Sequence, residues 1–98
     1  MRIKHKSVYV IYNPSLNITK VGISNNVIER KNSIVSASGC HVSILYKSPT
    51  IYNSAMIERD IHNKFSMFKT VGEWFSVNPS LILNYIKTIE SNYQIVSK

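Results

Sequence analysis

The residues best placed to do chemistry lie between Tyr52 and Phe68, where Glu58 and His62 stand four positions apart. Ile57, Ile61, Phe65 and Phe68 recur at i, i+4, i+8 and i+11, which predicts a helix with one apolar stripe. On such a helix Glu58 and His62 stack one turn above the other at the border of the buried face. A carboxylate and an imidazole at that border are partly desolvated, which favours metal binding or proton transfer. The same spacing also suits a plain surface ion pair, so the rest of the chain has to decide.

Charge narrows the choice. Twelve Lys and Arg face five carboxylates (Glu29, Glu58, Asp60, Glu73 and Glu90), a net charge of +7 over 98 residues. That excess favours polyanions, of which nucleic acid is the commonest. A membrane surface fits less well, because no helix pattern sets a dense basic face opposite an aromatic one. No apolar run approaches the roughly 18 residues that span a bilayer. The stretch Met1–Lys6 is a basic arm without the apolar segment of a secretory signal. Cys40, the single cysteine, can form neither an intrachain disulfide nor a thiolate-rich zinc site. These features predict a soluble cytoplasmic protein, folded as a single domain over residues 1–98.

The elements that must position the candidate residues follow from pattern. Ser7–Tyr12 is β-branched and aromatic, a strand able to be buried on both faces. Residues Asn13 to Asn17 supply a turn, and Ile18–Ile23 is the returning strand of a hairpin. Ser24, Asn25 or Asn26 caps a helix from Val27 to Val35, with Val27, Ile28, Ile34 and Val35 as its apolar positions. Gly39 is its left-handed exit. Val42–Tyr46 is a third strand, and the helix over 52–68 follows. Residues 69–72 turn the chain into a short extended segment, Glu73–Val77, in which Trp74 and Phe75 are core. Asn78-Pro79 opens a last helix with Leu81, Ile82, Tyr85, Ile86 and Ile89 as its apolar face. The order ββαβα(β)α predicts an α+β domain with a small, mostly antiparallel three-stranded sheet flanked by helices.

This layout resembles the GIY-YIG nuclease superfamily from about Ser7 to Ile86. Ser7-Val8-Tyr9 stands in the place of the first tripeptide, and Lys20-Val21-Gly22 in that of the second. Arg30 lies eight residues past that glycine, where the family carries its catalytic arginine, and Glu58 matches the metal-binding glutamate. Glu58-x-x-x-His62-x-x-Phe65, followed by Gly72-Glu73-Trp74-Phe75, looks like the branch of small phage and bacterial members. The chain departs from the pattern at Ser7, in place of a glycine, and at Lys20, in place of a tyrosine.

The resemblance implies an endonuclease that hydrolyses phosphodiesters with one Mg²⁺ (or Mn²⁺), leaving a 5′-phosphate and a 3′-hydroxyl. Tyr9 is then the general base, although Tyr12 is as plausible by pattern alone. A tyrosine with an ordinary pKa near 10 needs positive charge beside it to act at neutral pH, and Lys20 is placed to supply it or to hold a phosphate oxygen. Arg30 suits a phosphate clamp, because its planar fork donates two bonds and keeps its charge. Glu58 is the sole protein ligand of the cation, which commonly retains several waters. His62 orients a water, holds the phosphate or protonates the leaving oxygen; it is equally suited to packing. Glu73 reads as structural, paired with a Lys or Arg of a neighbouring helix.

Phosphate contacts are expected at Lys4, Lys6, Lys31, Arg59 and Lys64, which position a backbone without reading bases. Double-stranded DNA is the expected substrate, with a homodimer or a larger partner protein to place two sites on two strands. A GIY-YIG-fold module that binds nucleic acid without cutting it, or that regulates another protein, is the alternative.

Overall fold

The first strand is buried on both its faces, so its alternating side chains supply a core on each side of the sheet. In the computed structural model, which describes residues 5–96, β1 (Ser7–Asn13) pairs antiparallel with β2 (Ile18–Ser24) in a register that sets Tyr9 against Gly22. The turn between them holds Asn17 at φ 53, a left-handed conformation that asparagine tolerates. Asn26 begins α1 (Val27–Ser38), its side chain accepting the Glu29 N–H, and Gly39 ends it at φ 72. β3 (Ser43–Lys47) lies antiparallel along the other side of β1. Next come α2 (Ser54–Lys64), a 3₁₀ turn at Ser66–Phe68, the two-residue β4 (Trp74–Phe75) and α3 (Pro79–Ile89). Strand order is β3-β1-β2-β4, antiparallel throughout.

The α+β class and the order of elements are as predicted, with corrections. The sheet has four strands, not three, because Trp74 and Phe75 pair with Lys20 and Thr19 of β2. The second helix does not run from 52 to 68. The Phe65 N–H bonds to both Ile61 O and Asn63 O, and the last turn tightens into the 3₁₀ piece. The carbonyl of Phe68 then accepts from the Ser76 N–H at 2.8 Å, a tertiary bond that overrides the helical period. Phe68 is therefore exposed. Helix α1 runs three residues past Val35, the Ser38 hydroxyl donating back to Ile34 O at 2.8 Å. Ile28 and Leu81 face solvent rather than the core; Leu83 takes the packing place assigned to Leu81.

Two cores result, one on each face of the sheet. Val8, Val10 and Val21 pack with Ile57 and Ile61 of α2, with Phe65 just past its end, and with Ile82, Ile86 and Ile89 of α3. On the opposite face Tyr9 and Ile11 pack with Val27 and Val42, edged by Ile34, Val35 and Trp74. The start of α2 is fixed by the C-terminal segment. Tyr52 N–H bonds Gln94 O, Val96 N–H bonds Thr50 O, and the Asn53 side chain bridges to Asn92 and Gln94. That anchoring matters because α2 carries the candidate carboxylate and imidazole. Among the described residues no helix is long and apolar enough to cross a membrane.

Ile61, fully buried beneath α2, tests the face assignment. Ile61→Ala is expected to lower unfolding free energy by roughly 2–5 kcal/mol in urea titrations. Ile28→Ala, on the solvent side of α1, is expected to stay within about 0.5 kcal/mol of the parent.

Candidate active site

The shortness of β4 creates the site. Past Lys20 the outer edge of β2 has no further strand residue to pair with, and the groups of Val21 find other partners. Its N–H bonds the backbone carbonyl of Glu73 at 3.2 Å. Its carbonyl lies 2.9 Å from Nε2 of His62. A carbonyl only accepts, so Nε2 carries the proton and donates. Phe75 supports the imidazole edge-on, ring centroids 4.9 Å apart. His62 is thus held by backbone and core.

Strand alternation puts Tyr9, Lys20 and Gly22 on the α1 side of the sheet. Tyr9, 1% exposed, lays its ring directly over Gly22. A Cβ at that glycine would sit 2.5 Å from the Tyr9 hydroxyl and 3.0 Å from Oε1 of Glu73. Only glycine admits this crossing, which brings the phenol to the edge where Glu73 also reaches. Lys20 pairs with Oε1 of Glu73 at 3.0 Å and stands 5.5 Å above the Trp74 ring. With 13% of its side chain exposed, it is held by both.

Glu58 and Glu73 share one electrostatic environment. Burial, then the charge of Glu73, raises Glu58 from 4.5 to about 7, against the opposing charges of Lys20 and Lys6. Burial alone would raise Glu73 too, but the hydrogen bond and charge of Lys20 outweigh it and hold that carboxyl below its ordinary value. The pair therefore keeps one proton on Glu58 up to neutrality while Glu73 stays ionised. Oε2 of Glu58 is buried without a hydrogen-bond partner among the described residues, 4.0 Å from Nε2 of His62. Burial, then Glu73, also pushes Tyr9 up to about 12, although Arg30 opposes. This corrects the expectation that Lys20 would lower the tyrosine: the ammonium is engaged by Glu73.

Tyr9, Lys20, Glu58 and His62 converge, and Arg30 acts electrostatically on Tyr9 from the exposed side of α1. Tyr12 does not join them; its hydroxyl donates to Asn17 in the hairpin turn at 2.7 Å. An open cleft of about 390 Å³ lies beside the cluster, lined by Ala55, Glu58, Arg59, His62, Asn63, Lys69 and Glu73. Of the expected phosphate contacts, Arg59 lines this cleft and Lys6 is near enough to act on Glu58. Lys31 is half-buried on α1. Lys64 stands over the Tyr85 ring at 5.5 Å and does not line the cleft. Lys4 lies outside the described residues.

Sequence reasoning left Lys69 out and read Glu73 as structural only. Glu73 pairs with a lysine of β2, not with a helix, and belongs to the cluster. The available signal was its place beside Trp74-Phe75, a pair apolar enough to be pinned to the sheet. No group of three or more His, Cys, Asp or Glu that could hold a metal occurs among the described residues. The donors present are the orphaned Glu58 oxygen and the neighbouring Glu73. Such a sparse oxygen set fits Mg²⁺, which takes one or two carboxylates and keeps its waters.

The chain matches the family model of the T5orf172 domain over residues 6–90, a nuclease-like domain found in phage and bacterial proteins. No curated protein and no solved structure is a match to it.

The raised Glu58 fixes the sign of a pH effect. Because its folded pKa lies above the ordinary 4.5, ionisation opposes folding progressively from there to about 7, and fully above. Glu58→Gln keeps a donor toward Glu73 and removes that opposition. It is expected to raise unfolding free energy by roughly 2 kcal/mol at about pH 8 and to change it little near pH 4.5. Thermal melts across that range check it; an equal effect at both ends would refute the shared-proton description.

Proposed function

This chain belongs to the T5orf172 domain family, and on that premise we propose that it is a Mg²⁺-dependent endonuclease of GIY-YIG type, hydrolysing phosphodiester bonds of DNA. The observation that carries the reading is the convergence of Tyr9, Lys20, Glu58, His62 and Glu73 on one open strand edge of a strongly basic chain. A binding surface has no need of two neighbouring carboxylates set among cations, since they repel phosphate.

Glu58, with Glu73 beside it, would hold the cation, and its unpartnered oxygen is the available donor. When bound, the ion supplies positive charge to the phosphate and to nearby water. The remaining work falls to the side chains. Tyr9 orients the attacking water and accepts its proton as a phenolate, having first lost its own proton to solvent; that loss requires added positive charge, because burial and Glu73 hold the phenol near 12. Arg30 clamps a non-bridging phosphate oxygen from α1 with two N–H donors. Lys20 keeps Glu73 ionised and in place. His62, its Nε2–H committed to Val21, leaves Nδ1 as an acceptor for a substrate hydroxyl or a water. Arg59 and Lys69 along the cleft steer the phosphate backbone toward these groups.

The same raised phenol and the engagement of Lys20 favour a second reading, a module that binds nucleic acid without cutting it or regulates a partner protein.

Incubation with supercoiled plasmid and with single-stranded RNA, in Mg²⁺ or EDTA, separates the two. Metal-dependent nicking or cutting of plasmid is expected, lowered about 100-fold or more in Glu58→Ala. That variant should still bind DNA, with a log–log salt slope of about −0.9 per phosphate neutralised. Salt-sensitive binding without cleavage under any divalent cation would establish the second reading, and cleavage of RNA alone would reassign the substrate.

A further inference from the structure

Between the end of α2 and Glu73 the chain exposes seven consecutive residues, Ser66 to Gly72. Loops of this kind are usually polar, yet this one carries Met67 at 82% exposure, Val71 at 72% and Phe68 at 36%. Isolated apolar residues on a surface require no explanation; three within five positions, beside a reactive cleft, do.

The segment is firmly built. Lys69 bridges to Phe75, the Thr70 N–H bonds Trp74 O at 2.9 Å and the Trp74 N–H bonds Val71 O at 3.0 Å. The Thr70 hydroxyl adds a bond to Trp74 O at 3.1 Å, and Gly72 closes the turn at φ 58. Phe68 leans back toward Phe65, ring centroids 6.4 Å apart, and props the base of the segment on the core. The outcome is a hydrogen-bonded hairpin from Lys69 to Phe75 that holds Val71 out in water, with Met67 exposed on the 3₁₀ turn that leads into it. Between them in the chain stands Lys69, which lines the cleft with Glu58 and Glu73.

We propose that this hairpin and the 3₁₀ turn before it form a wedge for nucleic-acid bases: Met67 and Val71 insert against an unstacked base while Lys69 holds the adjoining phosphate over the cleft. The proposal rests on the nucleic-acid reading above and adds to it a substrate preference, for sites where a base is unpaired or readily unstacked. Apolar wedges between base steps are an established means of kinking a duplex, and their insertion costs least where stacking is already weak. Charge selects this occupant over others. A second copy of this chain would bring its own +7 against Lys69 and Arg59, whereas a nucleic acid offers both apolar base faces and an anionic backbone. The pre-formed hairpin lowers the ordering entropy that insertion would otherwise require.

The test uses the full chain in EDTA with short duplexes carrying 2-aminopurine at successive positions, paired or opposite a mismatch. The expected result is a several-fold fluorescence rise at saturation, larger for the mismatched duplexes. In a Met67→Ser, Val71→Ser double variant that melts like the parent, the rise should disappear while anisotropy shows binding within about threefold. Quenched 2-aminopurine throughout, an equal rise in the variant, or a parent dimer lost in the variant by light scattering would overturn the wedge. Plasmid nicking in Mg²⁺ is read separately. Nicking without brightening defeats the wedge alone, whereas brightening without nicking defeats the nuclease reading and leaves the wedge standing.

Discussion

A backbone carbonyl at the edge of a sheet, shielded from water, has to be hydrogen-bonded, and at Val21 the group that meets it is the His62 imidazole. This one bond joins α2 to β2 where β4 has run out, and the candidate site takes its shape from it. It brings Glu58, one turn back on α2, to the strand edge beside Glu73. It turns the ring onto Phe75, which is itself buried. On the opposite face the absence of a side chain at Gly22 lets Tyr9 cross β2 to the same edge. The two cores of the molecule thus send their polar outposts to a single place.

Electrostatics there are settled by a contest over one proton. Two carboxylates within a half-buried cluster do not both ionise freely. Lys20 decides which one does, because its ammonium contacts Glu73 and not Glu58. Trp74 contributes by pressing its ring beneath the lysine, so that a residue of the β4 pair bears on the charge state of an α2 carboxylate. Tyr9 is held protonated first by its burial and then by the negative charge of Glu73.

Much of this was legible in the sequence where a strong local pattern coincided with a real buried face. Ile57 and Ile61 marked the inner side of α2, the run Ser24–Asn26 marked the start of α1 and Gly39 its exit, because period and capping depend on near neighbours alone. The readings that failed depended on distant partners. Phe68 continued the helical period, yet the Ser76 N–H claimed its carbonyl and the helix stopped. Ile28 and Leu81 looked like core because no pattern along one helix tells which flank the sheet covers. For the candidate site, the spacing of Glu58 and His62 indicated a shared face, but nothing in it announced that the imidazole would bond to a strand. Glu73 was under-read for the same reason: its neighbours in sequence are core aromatics, while its charge partners lie on β2 and α2.

The His62–Val21 bond also bears on how copies of the molecule behave toward each other. An unpaired strand edge is a template for intermolecular β-pairing, and folded proteins blunt such edges by many devices. Here an aromatic ring with one N–H occupies the position that the amide of an incoming strand would take. The side chain that helps to organise the cleft therefore also denies β2 to other chains at that point. The shape of the cleft and the blocking of the strand edge thus depend on the same residue.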